Sequence, residues 1–324
     1  VKKLGSYLSW AVYGVVFLGI VLVNPGEHYI HLAARVIIFS LYAVAFNILF
    51  GTTGLVSFGQ ALFYGIGAYV TGMLAKSIGP QFFLLYIVLG AVLASSVSVL
   101  IGLLTLRLTG VYFTMLTLAF AQLAWGVTFK LYHFTGGDDG IQAIPKPELL
   151  AGSGVLKYYL FSFVVVTISL YIIWRITHSP FGALLRGIRQ NPRRITFLGL
   201  NVYRNQLVAY VVSAFFAAVA GGLYSGLDGS IHPDMLHWPT SGNAILMATI
   251  GGMSSFFGPV VGAAILTGLE EIVGRHTEYW SFFIGAAVVI VVLLFPRGIL
   301  GIRWSGWHRK EEEKETRVAP DTGN

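Results

Sequence analysis

Eight histidines, fourteen acids and no cysteine are the raw material for catalysis or metal binding in this chain of 324 residues, and they do not fall into register. His28, His31, His133, His178, His232, His237, His276 and His308 sit in loops or at segment ends, with no pair four residues apart on a helix. No metal site follows from such a scatter. The serines lack the glycine frame of a nucleophile elbow, so no catalytic residues are assigned. The dipeptide Gly-Lys never occurs, which removes the phosphate-binding loop of a nucleotide hydrolase. Glu270 and Glu271 alone among the acids adjoin an apolar run, and they read as interfacial groups near its outer end.

What remains is a set of polar side chains embedded among glycines. Gly51 to Leu74 carries no charge and six glycines, with Thr52, Thr53, Ser57 and Gln60 among them. Glycines let helices approach closely or break. Broken helix at membrane depth is tolerated only against protein or a wet cavity. These four polar residues are therefore candidate linings of a translocation path. Packing inside a helix bundle is the alternative reading of the same residues. Gly51, Gly54, Gly59 and Gly65 are candidate hinge or packing positions, as are Gly251, Gly252 and Gly258 in a second glycine-rich interruption. Ala61/Gly65 and Ala68/Gly72 have the small-xxx-small spacing of close helix contact.

The elements that hold these residues are membrane helices. The chain is 56% apolar and 11% charged, against about 25% charged for a soluble domain. The predicted fold is an all-α polytopic bundle of about ten membrane segments, at roughly 20 apolar residues each. Candidate spans are Tyr7–Val23, Tyr29–Phe50, Gly51–Ala75, Phe82–Leu106, Val111–His133, Tyr158–Trp174, Gln206–Leu227 and Tyr279–Phe295. Asn243–Gly274 reads as two short arms meeting near the inner side, split by Gly251–Pro259. It and Gly51–Ala75 are expected to be broken or re-entrant. Arg35 lies near an outer end, from which it can snorkel to the headgroups. Residues 1–301 form the membrane domain and 302–324 a polar tail. Fifteen of the 21 lysines and arginines fall on one proposed side, which puts both termini in the cytoplasm.

The loop at about 175–205 carries six arginines and no acid. Ser179-Pro180 reads as a helix start. Phe181, Gly182, Ala183, Leu184, Arg186 and Arg189 follow at helical spacing, and Gly199 reads as a left-handed cap on a second short helix. Such helices suit docking to a partner protein, with the arginines steering approach. Binding to anionic headgroups is the other reading.

Four stretches, in order, resemble the LivM-type permease subunits of ABC importers for branched-chain and other amino acids. They are Asn47–Ala61; Phe134–Ile141, with Gly136, Gly137, Asp138, Asp139 and Gly140 as an outer loop; Ser179–Ala183 through Gly199-Leu200-Asn201 to Ala220-Gly221; and Gly251-Gly252-Met253 with Gly258–Ala263 and Pro296-Arg297-Gly298. The departures are Gln60 where His is common, and Asp138 where Ser or Asn is frequent. The resemblance implies a non-catalytic subunit of the bacterial inner membrane that binds no cofactor. ATP and Mg belong to two cytoplasmic ATPase subunits docked on the 175–205 loop. A second, LivH-like permease subunit and a periplasmic solute-binding protein complete the importer. A stand-alone carrier or channel for a small polar solute such as urea or an amide is the rival reading.

Overall fold

The structure, a computed structural model, describes residues 26–145, 154–276, 280–294 and 298–301, with Trp10, Tyr13, Gly14, Phe17 and Gly19. Most of the predicted first span, the polar tail, Pro296 and Arg297 lie outside the described residues. What is described is all-helical, apart from one antiparallel bridge between Ile141 and Ile231.

Among the described residues eleven α-helices have six residues or more: α1 (Glu27–Asn47), α2 (Gln60–Ile78), α3 (Phe83–Thr105), α4 (Val111–Lys130), α5 (Gly154–Thr177), α6 (Pro180–Gln190), α7 (Pro192–Phe197), α8 (Val202–Asp228), α9 (Trp238–Gly251), α10 (Gly258–Gly274) and α11 (Trp280–Leu294). Among the described residues six segments are long and apolar enough to cross a membrane: Glu27–Thr53, Gln60–Ile78, Pro80–Thr105, Val111–Lys130, Val155–Thr177 and Val202–Asp228. At 1.5 Å per residue α9 and α10 are about 21 and 26 Å long, each short of the roughly 30 Å apolar core.

Buried glycines build the centre. Gly67 of α2 faces Ala218 of α8 so closely that a Cβ would overlap the Ala218 carbonyl. Gly221 of α8 stands in the same relation to the Tyr64 carbonyl of α2. From α3, Gly90 closes the seam, its Cβ position 3.2 Å from the Gly67 oxygen. The sequence spacing pointed instead to Gly65 and Gly72. These face side chains, Leu236 for Gly65 and Ile231 and Ile144 for Gly72. The helix face that meets another backbone is the one carrying Gly67. α1 lies beside this core, almost wholly buried from Ala33 to Leu49, and contacts α5, α8 and α10.

The stretch Gly51–Ala75 is not one span. α1 runs past Asn47 into a six-residue π-helix, Ile48–Thr53, and α2 begins only at Gln60. The cause is local. Thr53 Oγ1 donates to the Ile48 carbonyl (2.9 Å) and Thr52 Oγ1 to that of Asn47 (3.5 Å), both five residues back, which supports the wide turn. Gly54 then stops the helix at φ +81°, a value that suits glycine.

Candidate functional site

Three interrupted or capped elements converge at one end of the bundle: the Gly54–Gly59 break, the Gly252–Phe257 break between α9 and α10, and helix α6. The first break is held by hydroxyls from neighbouring helices. Thr114 Oγ1 donates to the Val56 carbonyl (2.9 Å), and Thr117 Oγ1 accepts from the Phe58 amide (3.2 Å). Ser241 of α9 donates to the Phe58 carbonyl and accepts from the Ala61 amide, both at 2.8 Å. The second break turns at Gly252, φ +107°. There α9 and α10 cross on bare backbone: a Cβ on Gly251 would overlap the Gly258 carbonyl, and one on Gly262 that of Met247.

The end of α1 and the π-helix that lead into the first break touch the second break. Asn47 Nδ2 donates to the Met253 carbonyl (3.3 Å), and Gly51 is packed between Asn47 and Met253. Both breaks end at a Phe-Gly pair: Phe58-Gly59 precedes α2, and Phe257-Gly258 leads into α10.

Helix α6 is latched into this pair. Its buried face is Gly182, Leu185 and Ile188, with Phe181 and Leu184 half-buried and Ala183 exposed. Pro180 occupies the first turn as expected, whereas the Ser179 hydroxyl donates back to the Ile176 carbonyl and makes no cap. Arg186 Nη1 donates to the Thr177 carbonyl at the end of α5 (2.8 Å). Arg189 Nη1 donates to the Gly51 carbonyl, and its Nη2 lies 3.6 Å from Met253 Sδ. Its stem also lies over Gly54, where a Cβ would meet Arg189 Cγ at 2.8 Å. So one arginine grips both breaks. Sequence reasoning assigned Arg186 and Arg189 to steering a partner; the structure places both tips on intrachain carbonyls. Arg186 and Arg189 are themselves exposed, and further outward-facing groups lie on α7 and just beyond. Arg193 and Arg194 are exposed, and Phe197, Leu198 and Leu200 form an apolar knob, Phe197 being 89% exposed. Asn191 caps α7 through the Arg194 amide (3.1 Å), and Gly199 takes φ +78° as its spacing suggested.

A cavity of about 140 Å³ opens here, lined by Asn47, Thr52, Thr177, His178, Arg186 and Ser254 over an apolar floor that includes Ile48 and Phe256. Of the four candidate path residues, Thr52 reaches it. Thr53 and Ser57 are buried, the Ser57 hydroxyl accepting from the Gly59 amide (3.2 Å). Gln60 is buried with Nε2 on Ser213, 2.9 Å from its hydroxyl. No group of three or more His, Asp or Glu suited to a metal occurs among the described residues.

At the opposite end, Gly136, Gly137 and Gly140 take positive φ and fold the loop so that Ile141 pairs with Ile231 (2.8 and 2.9 Å). Asp138 and Asp139 are exposed on it. The acids next to the apolar run lie differently from expectation. Glu270 is mostly covered and faces Arg35 of α1 at 3.8 Å, while Glu271 pairs with His28 (3.2 Å) and Arg275 (2.8 Å).

The family of branched-chain amino acid transport system permease components matches residues 29–292, from the start of α1 into α11. The chain belongs to that family. It is similar to the high-affinity branched-chain amino acid transport system permease protein LivM of Escherichia coli K12, 27% identical over 84% of this chain and 69% of the relative. It is also similar to LivH of the same organism, at 25% over 81% and 91%. A third relative is the galactose/methyl galactoside import permease MglC of Salmonella typhimurium, at 28% over 54% of this chain and 55% of the relative. No solved structure matches. The chain is thus a membrane-spanning permease subunit, and no enzyme family is indicated.

Proposed function

We propose that this permease subunit forms one wall of an ATP-driven importer for branched-chain amino acids in the bacterial inner membrane. A LivH-like second permease subunit faces it, and a periplasmic binding protein delivers solute to the end bearing the Gly136–Gly140 loop. Two ATPase subunits, which carry the ATP and Mg, dock at the α6–α7 end. The observation that carries this reading is the grip of Arg189 on Gly51 and Met253, which joins an inner-end helix to both helix breaks. A push on the Phe197–Leu200 knob moves α6, and α6 cannot move without drawing on both breaks. That couples hydrolysis in another subunit to helix displacement here, with Thr52 at the inner end of the path and Thr53, Ser57 and Gln60 behind it. The glycines at the breaks let the backbone bend without moving side chains out of the way.

The branched-chain solute rests on the family and on the LivM and LivH relatives. The test is reconstitution. Vesicles containing this chain, its permease partner, the ATPases and the binding protein should take up leucine only with ATP. Leucine, urea or amide flux through vesicles holding this chain alone would overturn the reading in favour of a stand-alone carrier.

A further inference from the structure

Arg35 of α1 faces Glu270, four residues before the end of α10, at 3.8 Å, with side chains 34% and 15% exposed, and a partly covered ion pair between two apolar helices calls for a role. Arg35 lies twelve residues before the end of α1, and Glu270 twelve residues after the start of α10. Glu270 is therefore about 18 Å along α10 from the second break, and Arg35 about 18 Å along α1 from the π-helix that leads to the first. The pair is under-used. Its closest approach is 3.8 Å, beyond hydrogen-bond distance, and Arg35 Nε is buried with no partner. Around it stand aromatic rings from three helices. The Arg35 guanidinium lies 5.6 Å from the Phe39 ring centre. Phe39 is 5.6 Å from Tyr224 and 6.4 Å from Tyr64, and Tyr64 is 4.8 Å from Tyr42. The Tyr64 hydroxyl is also buried without a partner.

We infer that Arg35 and Glu270 form a zwitterion-exchange site, which takes the α-carboxylate of an amino acid on Arg35 and its α-ammonium on Glu270. The inference rests on the permease reading and adds to it the residues that hold the two charges of the solute. Entry of a zwitterion replaces one long Arg–Glu contact by two charge-assisted hydrogen bonds, with no net charge left uncompensated at any stage. The side chain of the solute then lies against Phe39, Tyr64 and Tyr224, an apolar wall beside a few polar groups, as in other small-molecule sites. An acid without an amine strands Glu270, and an amine without a carboxylate strands Arg35. Because the two charges ride on helices that flank different breaks, bending at either break changes their separation. Closing the pair returns Arg35 to Glu270 and expels the solute.

The test uses the assembled complex of permease subunits and ATPases in lipid nanodiscs, with radiolabelled leucine as probe. Leucine, 4-methylpentanoate and 3-methylbutylamine are the competitors, with and without a non-hydrolysable ATP analogue. In the wild type, leucine should compete at least tenfold better than either analogue. Glu270→Gln should weaken leucine about tenfold and strengthen the acid, which then strands no charge; Arg35→Met should weaken leucine similarly and strengthen the amine. The double variant Arg35→Met, Glu270→Met should still assemble, since an apolar pair of similar size commonly replaces a buried ion pair without loss of stability. It should bind no leucine. A pair that only holds α1 to α10 would shift all three ligands alike, or none, and either result overturns the inference. So does leucine binding by the double variant, or a wild-type complex that pumps leucine in vesicles yet binds none here. Failure of the wild type to pump any amino acid instead overturns the permease reading itself.

Discussion

Glycine does opposite work in two parts of this molecule. In the α2–α3–α8 seam, Gly67, Gly90 and Gly221 sit in regular helix with a neighbouring backbone where a Cβ would be. At the junction with α6, Gly54 and Gly252 sit outside helix, at positive φ, and change the direction of the chain. The first set removes freedom by closing the distance between helices. The second supplies it by ending them. A transporter needs both, a block that stays together and joints about which other helices tilt, and here the same residue type provides each through its surroundings.

The contrast is sharpest where a side chain is added. Gly67→Leu should give no assembled permease, since the Ala218 backbone cannot retreat; measurable yield of a monodisperse complex would show that the seam is not a rigid block. Gly54→Leu is expected to leave assembly intact and to lower ATP-dependent uptake about 100-fold. It combines a positive φ with a contact to the flexible Arg189 stem, which can give way. Loss of assembly in that variant would place Gly54 with the seam glycines. Arg189→Gln should leave the ATPases bound and hydrolysing while uptake falls about tenfold, because the latch between α6 and the breaks is gone. Normal uptake would mean that the breaks are driven by another route. The mildest change is Asn191→Ala, which removes the cap of α7 and should cost about 1 kcal/mol, read as a small loss of thermal stability of the ATPase-bound complex.

Of the roughly ten membrane segments expected from sequence, six stand among the described residues as helices long and apolar enough to cross a membrane; the contacts between them were not legible. Long apolar runs dictate helices in lipid, because the backbone must satisfy its own hydrogen bonds there. Gly and Pro clusters mark where they stop. The start of α6 at Pro180, the cap role of Asn191 and the turn at Gly199 also follow from local chemistry. Ser179 does not behave as such a cap, since its hydroxyl finds the Ile176 carbonyl first. Arg189 looks like any solvated cation in a basic loop; only the fold shows that Gly51 and Met253 come within its reach. The Arg35–Glu270 pair was missed for the same reason. Read singly, each residue resembles an interfacial charge, and its partner is most of the chain away. Gly67 was passed over in favour of neighbours at a familiar spacing, because which face of α2 meets α8 is a property of the packed bundle.

The π-helix at Ile48–Thr53 has one more consequence for the way α1 ends. A segment wound with a surplus residue can pass that surplus along its length, as a dislocation moves through a crystal. Each position passed turns the intervening residues by about 100° and advances them by about 1.5 Å. The ladder of hydrogen bonds shifts one rung at a time, so no stage requires the helix to melt. Thr52, now at the cavity, would rotate away from it in the first such step, and Asn47 would leave Met253. Such steps would give the end of α1 discrete stops, set by the count of residues in a turn.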